Sequence, residues 1–299
     1  MAIRRGPLAP PEAGTEVFNI DVRDDTDAPM YKSGFVTDFS LYRDKSGNDD
    51  WRVTSRLQGT AGTFPEISTA AESSAYTTSS WDWMNGFHDA GSVNTGYLSW
   101  MWKRAPSFCD VVCWYQPTDN AVTTINHNLG VVPEMIWTKS RTGTRAWPVF
   151  HKDITPMLEL NTTTRGTDTD PHQNVGSTSF QVNGSVTGEV GGPENYISYL
   201  FSSLSGVSKL GSITHSGTTN VDCGFSSGSR FILLKRTDLN GDWYVWDSVR
   251  GIVAGNDPYL LLNTTGAEVT STDYIDPLSS GFTITSNFTA GTYIFYAIA

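Results

Sequence analysis

Five histidines, His88, His127, His151, His172 and His215, are the first residues to consider for chemistry. A metal centre or a catalytic imidazole needs a second ligand or a carboxylate at a fixed spacing. None of the five has another histidine at metal-binding distance in sequence, and none recurs at a regular interval, so each reads as a surface or loop residue. Glu134 and Glu159 stand in no recognisable glycosidase pattern, where two carboxylates flank the scissile bond. The chain has neither a Gly-x-Ser-x-Gly elbow nor a phosphate-binding loop of the Walker type. No catalytic residue, metal ligand or cofactor is expected from these patterns.

Two acidic loops offer oxygen ligands at alternate positions, as hard cations prefer: Asp44-Lys45-Ser46-Gly47-Asn48-Asp49-Asp50 and Asp238-Leu239-Asn240-Gly241-Asp242. The matching stretch Ser140 to Arg145 has no carboxylate, so a hairpin loop using Gly and Asn is the simpler account. Trp81, Trp83, Trp114 and Tyr115 lie beside Gly/Ser/Thr-rich loops, where exposed rings stack on sugars; core or interface placement competes with that reading. Cys109 and Cys113 are four apart in a strand and too far apart to bridge, and Cys223 stands alone. The Asn-x-Ser/Thr sites at Asn161, Asn183, Asn263 and Asn287 carry no weight without a secretory route.

The elements that must position these residues recur. Trp51, Trp147 and Trp243 are evenly spaced by about 96 residues, each two before a Val. Each follows a run that ends in a cation: Phe39 to Arg43, Met135 to Lys139, Phe231 to Lys235. In a second register Tyr97 to Trp102 reappears as Tyr196 to Phe201 and as Tyr293 to Ile298. Leu158 to Thr163 matches Leu260 to Thr265, whereas the first copy keeps only Leu57 and a Gly/Thr-rich run. Such self-similarity fixes the architecture before any other reading.

The expected fold is all-β: three tandem β-sandwich-like repeats of about 96 residues with an extended N-terminal arm. The arm spans 1–31, a degenerate first unit 32–104, the second 105–203 and the third 204–299. Pro7, Pro10, Pro11 and Gly14 keep the arm from being helical, and Val17 to Ile20 is suited to pair with a partner's sheet edge. Strands such as Phe231 to Leu234 are apolar on both faces, so each must be covered twice, by its own core and by a neighbouring unit or protomer. A homo-oligomer follows from the second choice. Tyr293 to Ala299 reads as a buried last strand.

The 299 residues carry a formal charge of −11. That sign argues against a phosphate-backbone partner, and no apolar run approaches a transmembrane span. Met1 to Pro7 lacks the apolar stretch of a secretory signal.

Phe231 to Thr237, Trp243 to Gly251, Leu260 to Asn263 and Thr292 to Ala299 resemble a repeated β-domain found in virion and tail-appendage proteins of bacteriophages, notably those of marine and cyanobacterial hosts. Ser140 to Trp147 with Leu160 to Thr162, and His127 to Glu134, are similar to the same family. The resemblance covers about 34–299, is strongest in the last two units and weakens in the first. It implies a non-enzymatic structural component of a virion, assembled in the host cytoplasm: a tail fibre, spike or other appendage in contact with the host surface. Partners would be other virion proteins, held through the arm, and a host-surface glycan, and the analogy with phage appendages favours a trimer as the homo-oligomer. The long shaft of a typical fibre is missing, which keeps a capsid decoration or an adaptor open. A carbohydrate-binding module and a polysaccharide-degrading enzyme are the remaining alternatives.

Overall fold

The computed structural model describes residues 9–24, 27–59, 63–64, 67–73, 81–89, 93–166 and 168–299. Its strands are short and rich in aromatic and β-branched residues, with Gly, Asn and Asp in the turns, as an all-β chain requires. The first third holds β1 (Phe18–Val22), β2 (Tyr31–Lys32), β3 (Phe39–Asp44), β4 (Arg52–Ser55), β5 (Thr63–Phe64), β6 (Gly86–Phe87) and β7 (Tyr97–Trp102). The second holds β8 (Cys109–Gln116), β9 (Val122–Asn126), β10 (Met135–Ser140), β11 (Pro148–His151), β12 (Leu158–Glu159), β13 (His172–Gln173), β14 (Ser179–Asn183) and β15 (Glu194–Phe201). The last holds β16 (Ser208–His215), β17 (Thr219–Asp222), β18 (Phe231–Arg236), β19 (Trp243–Asp247), β20 (Leu260–Leu261), β21 (Ile275–Leu278), β22 (Gly281–Ile284) and β23 (Gly291–Ile298).

Each third builds one five-stranded antiparallel sheet. The orders are β1-β7-β3-β4-β5, β8-β15-β10-β11-β12 and β16-β23-β18-β19-β20. Smaller sheets, β2-β6, β13-β14-β9 and β17-β22-β21, form the other layers. Alternation along the central strands then sends side chains in two directions. Phe231 and Leu233 enter a core shared by all three large sheets, whereas Ile232 and Leu234 enter the core of the last third alone. Met135 and Trp137 likewise face the shared core, and Ile136 faces that of the middle third. The strands apolar on both faces are therefore covered by neighbouring parts of the same chain.

Aromatic contacts close the shared core in a ring. Phe39 meets Tyr199 with ring centroids 4.8 Å apart, Phe201 meets Tyr296 at 5.1 Å, and Trp102 meets Phe231 at 5.6 Å. Full burial of each large apolar side chain contributes about 1.5–3 kcal/mol, which makes this core the main support of the relation among the sheets.

The N-terminal segment departs from the sequence reading. Residues 1–8 of the expected arm lie outside the described residues, but Phe18–Val22 pairs antiparallel with β7, from Phe18 opposite Trp102 to Val22 opposite Leu98. Phe18 is fully buried against Trp102 and Phe231. The stretch assigned to a partner's sheet edge is instead the first strand of this chain's own sheet, and the body begins well before residue 32. The reason is that a partner edge is already present: β7 is apolar on both faces and would otherwise end its sheet uncovered.

The segments before β1, β8 and β16 also match. Lys103 N donates to Val17 O at 2.8 Å, Ser202 N to Phe108 O at 3.1 Å, and Ala299 N to Val207 O at 2.9 Å. A second correction concerns Leu57, which is 38% exposed; Ile67 instead joins Leu160 and Leu262 in the shared core.

Candidate functional site

The residues that recur in sequence meet at the seams between the thirds. Trp51 Nε1 donates to Leu261 O, Trp147 Nε1 to Ser68 O and Trp243 Nε1 to Glu159 O, each at 2.9 Å. Each bond crosses into another third, so the three bonds form a closed cycle. The cations at the ends of β3, β10 and β18 follow the same path. Arg43 donates to the carbonyls of Thr264, Thr265 and Gly266, Lys139 to that of Thr69, and Lys235 to that of Thr162. All three cations are fully buried. They lie over Trp51, Trp147 and Trp243 at 5.3, 5.9 and 5.5 Å, within cation–π range.

Burial of these charges has a cost that shows in their protonation. Lys235 is lowered to about 8 by burial, with Asp242 and Glu159 acting in the opposite direction. Burial likewise lowers Arg43, to about 10. The carbonyl ligands supply the hydrogen bonds without which a buried cation would not be tolerated.

Four of the five histidines serve as internal fasteners. His127 Nδ1 accepts from Leu129 N, and its Nε2 sits 3.0 Å from Gly176 O. His151 accepts from Asp153 N and is lowered to about 4 by burial, so it stays neutral. His215 bridges Thr219 Oγ1 and Phe288 O.

His172 belongs to a polar chain that runs between the layers. Asp170 Oδ1 lies 2.6 Å from Nδ1, Thr138 Oγ1 2.8 Å from Nε2, Ser198 Oγ 2.8 Å from Thr138, and Trp114 Nε1 donates to Ser198 at 2.9 Å. The order carboxylate, imidazole, hydroxyl is that of a nucleophilic triad. Thr138 and Ser198 are fully buried between the layers, however, so no substrate reaches the hydroxyl and the chain acts as a satisfied core network. Leu234 and Phe295 stand at the matching places of the last third, where the core is apolar.

The acidic loops are occupied by the chain's own groups. Asp49 pairs with Arg52 at 2.8 Å, Asp44 accepts from Ser46 N, and Asp238 pairs with Arg236 at 2.7 Å. Among the described residues no three His, Cys, Asp or Glu form a group able to hold a metal ion. Trp81 is buried, stacked on Phe87 at 5.2 Å, and Trp114 is half-buried on Tyr196 at 4.6 Å. Tyr115, in contrast, is 52% exposed. Cys109, Cys113 and Cys223 are free thiols.

A family model described as a domain of unknown function, DUF7483, matches residues 58–299. The chain belongs to the DUF7483 family. A comparison with curated proteins finds no match. The seam residues from Ile67 onward all fall within the DUF7483 match, whereas β1, β3 and Trp51 precede it.

A cleft of about 390 Å³ lies beside the segment that joins the first two thirds and is lined by Asp38, Arg104 and Asp110, among others. Asp38 accepts from Arg104 N and Nε at 2.7 and 3.1 Å, and Asp110 from Val111 N and Asn128 N at 2.9 and 2.7 Å. All four carboxylate oxygens are engaged, which pins the joining segment and leaves little basis for acid–base work there. Among the described residues no helix is long and apolar enough to cross a membrane.

The cyclic seam was legible only in part. The even spacing of Trp51, Trp147 and Trp243 marked the tryptophans, but not that each indole would reach a different third. The cation closing each run was visible in sequence, and its burial was signalled by its place in a doubly apolar strand.

Proposed function

We propose that the protein is a non-enzymatic structural component of a bacteriophage virion, a tail fibre, spike or other appendage that contacts the host surface. In this reading the chain is three copies of one β-sandwich unit of about 96 residues, closed on themselves. The observation that carries it is the cycle of indole and cation bonds across the three seams. A side-chain set that recurs three times and is spent on joining the copies is what a rigid assembly part needs; a single catalytic centre would break the recurrence. The common strand order of the large sheets and the resemblance of Phe231 to Gly251 to phage appendage domains support the same reading.

Attachment to other virion proteins uses surfaces other than the Val17 to Ile20 strand, since that strand is committed to β7. Mass spectrometry of density-purified particles of the encoding phage, with gold-labelled antibody to locate the protein, tests the proposal. Labelling at the tail or its appendages is expected. Its recovery only as free protein in the lysate, with none in the particle, overturns the reading.

A further inference from the structure

At one end of the shared core, where the three thirds meet, a cleft of about 270 Å³ opens to the surface. Its floor is Trp51, Ile67 and Leu262, all buried members of the shared core. Around the floor stand Asp50, Ser68, Asn161, Asn263 and Thr265. Each third contributes: Trp51 and Ser68 come from the first, Asn161 from the second, Asn263 and Thr265 from the last.

The wall is held in place by the seams. Asn161 Oδ1 accepts from Trp147 N at 3.0 Å, and Asn263 Oδ1 from Trp243 N at 2.8 Å. Asn263 Nδ2 donates to Asp242 Oδ1 at 2.8 Å, so its orientation is fixed from both ends. The Asn161 bond fixes that amide as well and leaves its nitrogen as a donor on the wall. Ser68 Oγ accepts from Ala70 N at 3.0 Å, which orients the hydroxyl.

The chemistry of the wall selects a ligand class. Amides and hydroxyls both donate and accept, and a carboxylate accepts at two oxygens. Among the described residues Asp50 is the one ionisable side chain of the lining, and the cations behind it, Arg43, Lys139 and Lys235, direct their N–H groups to backbone carbonyls rather than into the cleft. A neutral sugar has the complementary form, an apolar C–H face for the floor and a rim of hydroxyls for the wall. Small-ligand sites favour such junctions, with an apolar base and a few convergent polar groups.

We propose that this cleft binds one neutral sugar residue. The assignment rests on the appendage reading only for the source of the sugar, a glycan of the host surface. Saturation-transfer difference NMR with methyl glycosides of glucose, galactose, mannose and N-acetylglucosamine, on the wild-type protein and on Asp50→Ala and Thr265→Val, is the test. Thr265→Val keeps the carbonyl that Arg43 uses, and neither change touches the shared core, so melting temperatures should match the wild type. Transfer to at least one glycoside is expected, with affinity reduced roughly tenfold or more in both variants. Absence of transfer to every glycoside, or unchanged affinity in both folded variants, overturns the proposal. A particle-borne protein that binds none of them overturns the cleft alone, and glycoside binding by a protein absent from particles overturns the appendage reading alone.

Discussion

Gly14 stands against Ala299, so near that a Cβ on residue 14 would collide with the Ala299 carbonyl oxygen. The start of the first sheet is thus locked against the end of the last strand. Ala299 is also tied to Val207, and Arg230 donates to Phe18 O at 3.0 Å. Deleting residues 1–31 should therefore abolish cooperative folding rather than leave the body intact, because it removes β1 and uncovers Phe231 and Trp102. Gly14→Ala should cost more than about 1 kcal/mol, since backbone must move to admit the methyl. Thermal melts followed by circular dichroism check both, and a truncated chain that melts like the full one would refute the account.

Ser107 adopts a left-handed backbone with φ 62°, at the place where Gly206 has φ 75° in the next joining segment. A side chain in that region costs about 1–2 kcal/mol, part of which glycine gives back through the flexibility of its unfolded state. Ser107→Gly keeps the bond from residue 107 N to Leu129 O and should stabilise the protein by about 0.5–1 kcal/mol. Urea denaturation measures the change, and a loss of stability would show that the serine side chain has a further role.

These positions show where sequence pattern suffices and where it does not. The tryptophans and the doubly apolar strands announced three sheets in need of a second cover, because spacing and alternation are local properties of the chain. The first strand was missed because Phe18-Asn19-Ile20 follows a Pro-rich stretch and shares little with Cys109 to Gln116 beyond alternation; only β7, about eighty residues away, gives it a place. Ile67 was missed for a similar reason, since Ser68 stands where Asn161 and Asn263 do and breaks the match. The buried network of His172, Thr138 and Ser198 required knowing that two layers face each other across those residues. The cleft at the end of the shared core needed all three seams, and no local pattern encodes their convergence.

Tyr199 places its hydroxyl in the shared core without a hydrogen-bond partner, and burial raises its pKa well above the ordinary phenol value. An unsatisfied buried hydroxyl costs about 1–3 kcal/mol, while the ring itself packs against Phe39 at 4.8 Å. Tyr199→Phe keeps the ring and should raise stability by about 1 kcal/mol. A melting temperature that falls would mean the hydroxyl is bonded in solution.

Lys235 gives the seam between the last two thirds a pH dependence. Its pKa is lowered from 10.5 to about 8 by burial, so between those values the unfolded chain holds a proton that the folded chain has released. Stability from this group therefore rises as pH increases from about 8 toward 10.5, and it is constant below that window, where both states are charged. Lys235→Met removes the term. The stability difference between wild type and variant should shift toward the wild type on going from neutral to alkaline buffer, and a difference independent of pH would rule out the shift.

Asp257 behaves in the opposite sense. It is fully buried, its Oδ2 accepts from Tyr274 N and Ile275 N at 3.3 and 3.1 Å, and its Oδ1 has no partner. Burial raises its pKa from 3.8 to about 7, with Asp273 and Asp276 adding to the rise and the two backbone donors opposing it. The folded state thus retains a proton that the unfolded chain loses. The resulting stability is fully present below about pH 4 and is lost as pH rises through about 7. Asp257→Asn mimics the protonated acid: its oxygen can accept the same two backbone bonds, and its amide replaces the carboxylic proton. Denaturant titrations at pH 5 and pH 8 should show the wild type losing stability relative to Asp257→Asn at the higher pH. Equal changes in the two proteins would mean that Asp257 is ionised in the fold throughout, with its charge compensated.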